Sequence, residues 1–252
     1  MSVVQIKTLM GEMKFKGMLL SLDQSLADAT SESWSYTDLM DTLLQSEYDF
    51  RIQKKIDRHI KASKLKKQSS FEDFDFTAKR SITKAQIKEL YNLKWLEQGR
   101  PVLIVGPTGV GKTYIAEAIG LHACHKKHTV LFNSVSTFLE NLLLARSAGN
   151  YLKMRDRMVK PDLLVLDDFG LKKFTSSEAH DLCEILEERS NGKSTLITTQ
   201  LPTEHWPEVI PDPVVADAII DRIKHTSLKL TVTGQSYREI KGKQLDSGKK
   251  SE

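Results

Sequence analysis

Eight consecutive residues, Gly106-Pro107-Thr108-Gly109-Val110-Gly111-Lys112-Thr113, satisfy the pattern GxxxxGK[ST] at every fixed position. The chemistry this spacing permits is phosphate binding. Glycines allow a tight loop whose N–H groups wrap phosphate oxygens, and the positive end of the helix that follows faces the same charge. Lys112 supplies a flexible cation for β- and γ-phosphates, and the Thr113 hydroxyl can ligate Mg2+. An ordinary Gly-rich turn is the competing reading. The loop, however, follows the apolar run PVLIVG and precedes a helical pattern, which is the context the motif requires.

A second constellation lies downstream. Leu163-Leu-Val-Leu166 is an apolar strand with two carboxylates, Asp167 and Asp168, at its C-terminal end. Open parallel sheets bind ligands at that end. Asp167 is expected to hold Mg2+, directly or through water, and Asp168, on the other side of the strand, to orient an attacking water. The run STLITTQ ends a third apolar strand in Thr198, Thr199 and Gln200. Thr199 is the candidate for a γ-phosphate contact, Thr198 the alternative, and a β-favouring Thr pair without a role the competing explanation.

The elements that must position these residues follow from periodicity. The chain has 252 residues, 40% of them apolar and 28% charged, ample for a buried core and unlike a disordered chain. Short Val/Ile/Leu-rich runs (PVLIVG, TVLFN, DLLVLDD, STLITTQ) alternate with helix-length stretches from Pro101 onward, the βαβ pattern of a parallel sheet buried on both faces. SLKLTVTG alternates and reads as a further, half-exposed strand. Earlier in the chain the pattern is helical, with no proline in the first hundred residues. Met10, Met13, Phe15, Met18, Leu19 and Leu22 recur at helical spacing and are expected in a core, a partner-binding helix being the alternative. Ser35 with Asp38 starts a second segment, a third helix is expected over about 48–63, and Thr83 with Gln86 caps a helix continuing to about Gln98, stopped by Gly99. The predicted division is a small all-α N-terminal domain at 1–68, a linker at 69–82, an α/β domain at 83–240 and a disordered tail at 241–252.

Charge is informative by location. Thirty-seven Lys and Arg against 33 Asp and Glu leave +4 overall, yet residues 51–67 alone carry eight basic residues and one acid. On a helix Ile52, Ile56 and Ile60 form one stripe, and Arg51, Lys54, Arg58 and Lys61 fall on the opposite side, flanked by Lys55, His59 and Lys64. An apolar stripe inward and a cationic stripe outward is a footprint for tracking nucleic-acid phosphates without reading bases. A merely solvated face is the competing reading. His122, Cys124, His125 and His128 lack a second ligand pair at metal-site spacing, so no zinc site is expected. No apolar run reaches the roughly 18 residues of a membrane span, and residues 1–20, with lysines inside the apolar pattern, are not expected to act as a secretory signal. Two distant cysteines, Cys124 and Cys183, suit a reducing cytoplasm.

The motifs and several further segments, RHIKASKL (58–65), FEDFDF (71–76), LLVLDDFG, STLITTQLP, HW (205–206), ADAIIDRIKH (216–225) and GQSYR (234–238), together resemble the IstB-like transposition helper ATPases of bacterial insertion sequences. Bacterial replicative helicase loaders are similar in the P-loop, the Asp-Arg pair and the SYR ending. The resemblance implies an AAA+ core with a short C-terminal lid, ATP as ligand, homo-oligomeric assembly on duplex DNA and a transposase partner. It implies that Arg222 reaches the ATP of a neighbouring subunit, and that Arg238 contacts nucleotide within its own. An ion pair of Arg222 with Asp217 or Asp221 is the bland alternative. Many AAA+ proteins have Asp-Glu where this chain has Asp167-Asp168, so hydrolysis is expected to be slow and DNA-stimulated. The rival functions are a replicative helicase loader and an ATP-gated DNA clamp that does not hydrolyse.

Overall fold

The computed structural model describes residues 2–66, 69, 81–224 and 226–237. The expected disordered tail, Arg238, the FEDFDF segment and most of the expected linker therefore lie outside the described residues. The chain forms two compact units, Met1–Arg58 and His59–Glu252. Their boundary falls inside a helix, ten residues before the one expected from sequence.

The first unit is helical. Helix α1 spans Val3–Glu12 and α2 spans Lys16–Ser31, and both belong to this unit with the greater part of α3 (Tyr36–Ser63). The Met/Phe pattern that reads as one helical run is thus two helices, broken where Lys14 takes φ 61°. Met18, Leu22 and Leu43 form the core with Ile6, Met10, Phe15, Leu26 and Leu39 against them, whereas Met13 is exposed. The second and third expected helices are one. The Ser35–Asp38 box caps it, with the Ser35 N–H donating to Asp38 at 3.0 Å and the Asp38 N–H to Ser35 at 3.2 Å.

The crossing of α2 and α3 turns on two residues the sequence does not advertise. Any Cβ on Gly17 would collide with the backbone of Ser46 and Glu47, so only glycine admits this approach. Phe15 cannot cap α2 with its side chain. Glu47 does so from α3, its buried carboxylate accepting the N–H groups of Gly17 at 2.6 Å and Met18 at 3.2 Å. Arg51 closes the arrangement by donating to Glu47 at 2.7 Å. Burial works against the Glu47 charge, but Arg51 and the two N–H groups outweigh it and hold the carboxyl below its usual value.

In the second unit, five parallel strands run in the order β2-β3-β4-β1-β5: β1 (Val102–Val105), β2 (Val130–Ser134), β3 (Leu163–Phe169), β4 (Ser194–Thr199) and β5 (Leu228–Thr231). Pleating sends alternate residues to two cores. Val102 and Ile104 face α4 (Lys84–Tyr91), α5 (Lys94–Glu97) and α6 (Lys112–His125), while Leu103 and Val105 face the other side. That other core is built with α7 (Val135–Ser147), α8 (Tyr151–Val159), α9 (Ser176–Ser190) and α10 (Pro213–Lys224). The helix expected from Thr83 to Gln98 is two helices, because Leu93 adopts φ 57° between them. Gly99 ends the second at φ 66° and passes so near Gly192 that an added Cβ would lie 2.8 Å from its Cα.

Candidate functional site

The strand order leaves the loop after β1 at the C-terminal edge of the sheet, beside the end of β3 across β4. That loop is Gly106–Gly111. It needs φ 84° at Gly109 and φ 99° at Gly111, both favourable only for glycine. The segment after β5 lies against it. The Val232 N–H donates to Val105 at 2.7 Å, and the Tyr237 N–H to the Gly109 carbonyl at 2.9 Å. A Cβ on Gly106 would collide with the Val232 carbonyl, and one on Gly109 with the Ser236 side chain. Close packing of the C-terminal segment against backbone thus restricts Gly106, and the Ser236 side chain crowds Gly109.

Thr108, Gly109, Gly111, Lys112, Thr113, Tyr114, Asp168, Gln200 and Tyr237 line one pocket. Pro107 contributes its carbonyl, which accepts from Lys112 Nζ at 2.9 Å, and Val110 is buried beneath the loop. The Thr113 hydroxyl donates to the Asp167 carboxylate at 2.9 Å. Asp167 sits on the α6 face of β3, the parity of Leu163 and Val165. Burial pushes its carboxyl up, the Thr198 hydrogen bond opposes this, the Asp168 charge adds to it, Thr113 opposes, and the Glu117 charge adds a smaller push. The hydroxyl–carboxylate pair of Thr113 and Asp167 is the hard-oxygen donor set that suits Mg2+.

Asp168 departs from the regular strand. The β3–β4 register slips between Leu166 and Phe169, and Asp168 takes φ 60° there. A bulge at a strand end re-aims a side chain, and here Asp168 faces the same pocket as the loop.

The two threonines of β4 separate. Thr198 shares the α6-side parity of Leu196, and its hydroxyl donates to Asp167 at 2.5 Å and accepts the Asp168 N–H at 3.0 Å. Thr199 faces the other way. Its hydroxyl donates to the Phe169 carbonyl at 2.8 Å and accepts the Leu201 N–H at 2.9 Å, away from the pocket. Of the two threonines Thr198, not Thr199, is joined to the site, because a one-residue step along a strand reverses the face. Gln200 is a residue the sequence reading did not single out. It lines the pocket and accepts from the Thr108 hydroxyl at 2.7 Å, clasping the loop from the end of β4.

Arg222 lies elsewhere. It neighbours Gly99, Pro101, Lys193, Thr195 and Thr226 around the N-terminal ends of the strands, at the opposite end of the sheet from its own phosphate loop. Its guanidinium pairs with Glu187 and donates to the Ala218 carbonyl at 2.7 Å, rather than pairing with Asp217 or Asp221. Arg238 falls outside the described residues. Arg51, Lys54, Lys55, Arg58, Lys61 and Lys64 are all exposed, and of the opposing stripe Ile56 is buried and Ile52 and Ile60 half-buried. His122 stacks on Tyr91 at 3.5 Å, and Cys124 is buried, its thiol pushed up to about 11 by burial.

A five-stranded parallel sheet with helices on both faces, a glycine loop ahead of a helix and an aspartate at the end of the strand beyond its neighbour define a P-loop nucleotide-binding fold of the AAA+ type. The chain belongs to the IstB-like ATP binding protein family, which matches residues 8–245. A relative from Sinorhizobium fredii, named as an insertion sequence ATP-binding protein, is 35% identical over 226 residues, covering 90% of this chain and 92% of its own. A Mycobacterium tuberculosis relative named as an ATP-binding protein in an insertion sequence is 32% identical, covering 91% and 92%. Among solved structures, the DnaC helicase loader superposes with a TM-score of 0.51 at 22% identity over 59% of this chain and 86% of its own. DnaI gives 0.55 at 22% identity over 66% and 92%. These two show the fold. No helix of the described residues is long and apolar enough to cross a membrane.

Proposed function

We propose that this protein is a Mg2+-dependent ATPase that assembles on duplex DNA with ATP and supports the transposase of an insertion sequence. The observation that carries the reading is the convergence of the phosphate loop, the Thr113–Asp167 pair and Asp168 on one pocket. Gly106–Gly111 and the start of α6 would cradle the phosphates, with Lys112 turning from the Pro107 carbonyl to the β- and γ-phosphates. Thr113 and Asp167 would hold Mg2+, which when bound neutralises charge on the β- and γ-phosphate oxygens. Asp168 lines the same pocket as the loop and would orient the attacking water. Thr198 would fix both aspartates in place, and Arg238 would contact nucleotide from the C-terminal segment.

Arg222 cannot reach its own phosphate loop from the opposite end of the strands, which supports action on a neighbouring copy. In a head-to-tail oligomer one copy's Arg222 would leave Glu187 for the next copy's ATP. The exposed cations of α3 would follow the DNA backbone. The relatives named for insertion sequences favour a transposase over a replicative helicase as partner, and two free cysteines suit the cytoplasm.

The test is multiple-turnover phosphate release with duplex DNA for three proteins. Wild type is expected to turn over, Lys112→Ala to lose ATP binding and turnover together, and Asp168→Asn to bind ATP without turnover. Unchanged ATP affinity in Lys112→Ala would sink the site assignment. No turnover by wild type would leave an ATP-gated clamp.

A further inference from the structure

The P-loop helix α6 carries a buried carboxylate that does not line the phosphate pocket. Glu117 lies one helical turn beyond Thr113. Its Oε2 accepts the Ser69 hydroxyl at 2.7 Å, and its Oε1 lies 3.9 Å from Lys66 Nζ. Ser69 is itself buried, while Lys66 is largely exposed. Both partners come from the chain just after the basic helix.

That stretch meets α6, or the residues just past its end, at two further points, and a local turn holds its shape. His59 Nδ1 lies 3.1 Å from the His128 carbonyl, just past the C-terminal end of α6. Leu65 is buried, and an added Cβ on Gly120 would lie 3.0 Å from its Cδ1. Ser63 closes the turn at Lys64 by donating to the Ile60 carbonyl at 2.7 Å and accepting the Leu65 N–H at 3.2 Å. The order of contacts runs from the C-terminal end of α6 back toward Thr113. Along this path Lys61, Lys64 and Lys66 stay exposed. The same few residues thus present cations outward and grip the P-loop helix inward.

We propose that Glu117 is a positioning residue, latched by Ser69 and Lys66, through which polyanion binding at the end of the basic helix alters nucleotide affinity. The idea rests on the ATP-dependent DNA binding proposed above. A phosphate backbone drawn to Lys61, Lys64 and Lys66 competes with Glu117 for the Lys66 charge and shifts the segment to which α6 is fastened. Thr113 and the N-terminus of α6 belong to the same rigid helix, so the shift is felt where the phosphates bind. Coupling of this kind is reciprocal: the factor by which DNA changes ATP affinity equals the factor by which ATP changes DNA affinity.

The experiment measures that factor by calorimetry, with AMPPCP as a non-hydrolysable ATP analogue and a duplex of fixed sequence, in wild type, Glu117→Gln and Ser69→Ala. Wild type is expected to show a factor on the order of 5 to 150. Both variants are expected to fall to within about twofold of unity, with AMPPCP affinity in the absence of duplex kept within about threefold. Ser69→Ala leaves α6 untouched and decides the matter should Glu117→Gln fail to fold. Variants that keep the wild-type factor overturn the latch alone. Loss of AMPPCP binding without duplex in Ser69→Ala overturns it as well, since Ser69 would then belong to the nucleotide site itself. A wild-type factor of one overturns both the latch and the ATP-dependent DNA binding on which it rests.

Discussion

The Thr198 hydroxyl donates to Asp167 Oδ1 at 2.5 Å, and the Thr198 Oγ1 itself accepts the Asp168 N–H at 3.0 Å. One side chain of β4 therefore fixes both the carboxylate assigned to Mg2+ and the backbone that aims the carboxylate assigned to water. Asp168 stands at φ 60°, a conformation that costs free energy for a residue with a side chain and persists where its surroundings fix it. The Thr198 bond is one of the contacts that does so.

Thr198→Val keeps the shape and removes the hydroxyl. Turnover is expected to fall about tenfold or more, a barrier change of roughly 1.4 kcal/mol, with ATP binding largely kept. Thr199→Val should behave in the opposite way. Its hydroxyl serves the Phe169 carbonyl and Leu201 N–H, so its loss costs about 1–3 kcal/mol of stability and leaves turnover near wild type. Steady-state kinetics and thermal melting of the two variants check this, and the reverse pattern would return the role to Thr199.

Arg222→Ala is expected to bind ATP nearly normally yet fail to assemble or turn over. Its ion pair with Glu187 is partly exposed, so the fold should lose no more than about 1 kcal/mol. Mixing Arg222→Ala with Lys112→Ala is the sharper measurement. Each lacks a different half of the interface, so mixed oligomers contain some interfaces with both halves intact. Phosphate release should recover in the mixture. Its absence at every mixing ratio, with both proteins folded, would argue against action across subunits.

Arg189 is a buried charged residue whose loss should be costly. Its guanidinium donates to the carbonyls of Met158, Val159, Pro161 and Ser194 and to the Thr195 hydroxyl, joining the end of α8 to the starts of β3 and β4. Burial pushes it down to about 9, which leaves it charged at neutral pH. Arg189→Met strands several buried acceptors at once, each worth about 1–3 kcal/mol unsatisfied. A loss of at least about 3 kcal/mol, and a fall in Tm on the order of 10 °C, is expected in calorimetry. A change under about 1 kcal/mol would mean water replaces the guanidinium.

These residues divide what the sequence made legible from what it hid. The phosphate loop, β3 with Asp167 and the parallel alternation were readable, because each is a local pattern with its own period or spacing. Arg189 and Glu47 were not, since a charged residue on a helix reads as solvated until its neighbours are known. The breaks at Lys14 and Leu93 were missed because neither has glycine or proline to mark its positive φ. Thr198 and Thr199 differ only in which face of β4 each occupies, and the face toward the P-loop helix is set by packing. Gln200 is fixed by its reach to Thr108, 92 residues away.

The basic helix gives the last prediction, and Glu47 changes how it must be made. Arg51 holds a buried carboxylate that caps α2, so replacing it would confound DNA affinity with stability. Lys54, Arg58 and Lys61 are exposed, and Lys54 and Arg58 make only surface contacts, over the Phe50 ring and to the Lys54 carbonyl. Changing these three to Gln should leave the Ile52, Ile56 and Ile60 stripe, and so the fold, intact. Affinity for duplex DNA in the presence of ATP should fall on every sequence alike, because phosphate contacts carry no base information. Each lost contact lowers the log–log salt slope by about 0.9 in magnitude, so three should lower it by about 2.7 per bound subunit. Turnover without DNA should stay near wild type, since none of the three lines the nucleotide pocket. Duplex titrations at several salt concentrations, wild type against the triple variant, provide the measurement. An unchanged slope with unchanged affinity would mean that the stripe is only solvated and that DNA is held by other residues of the chain.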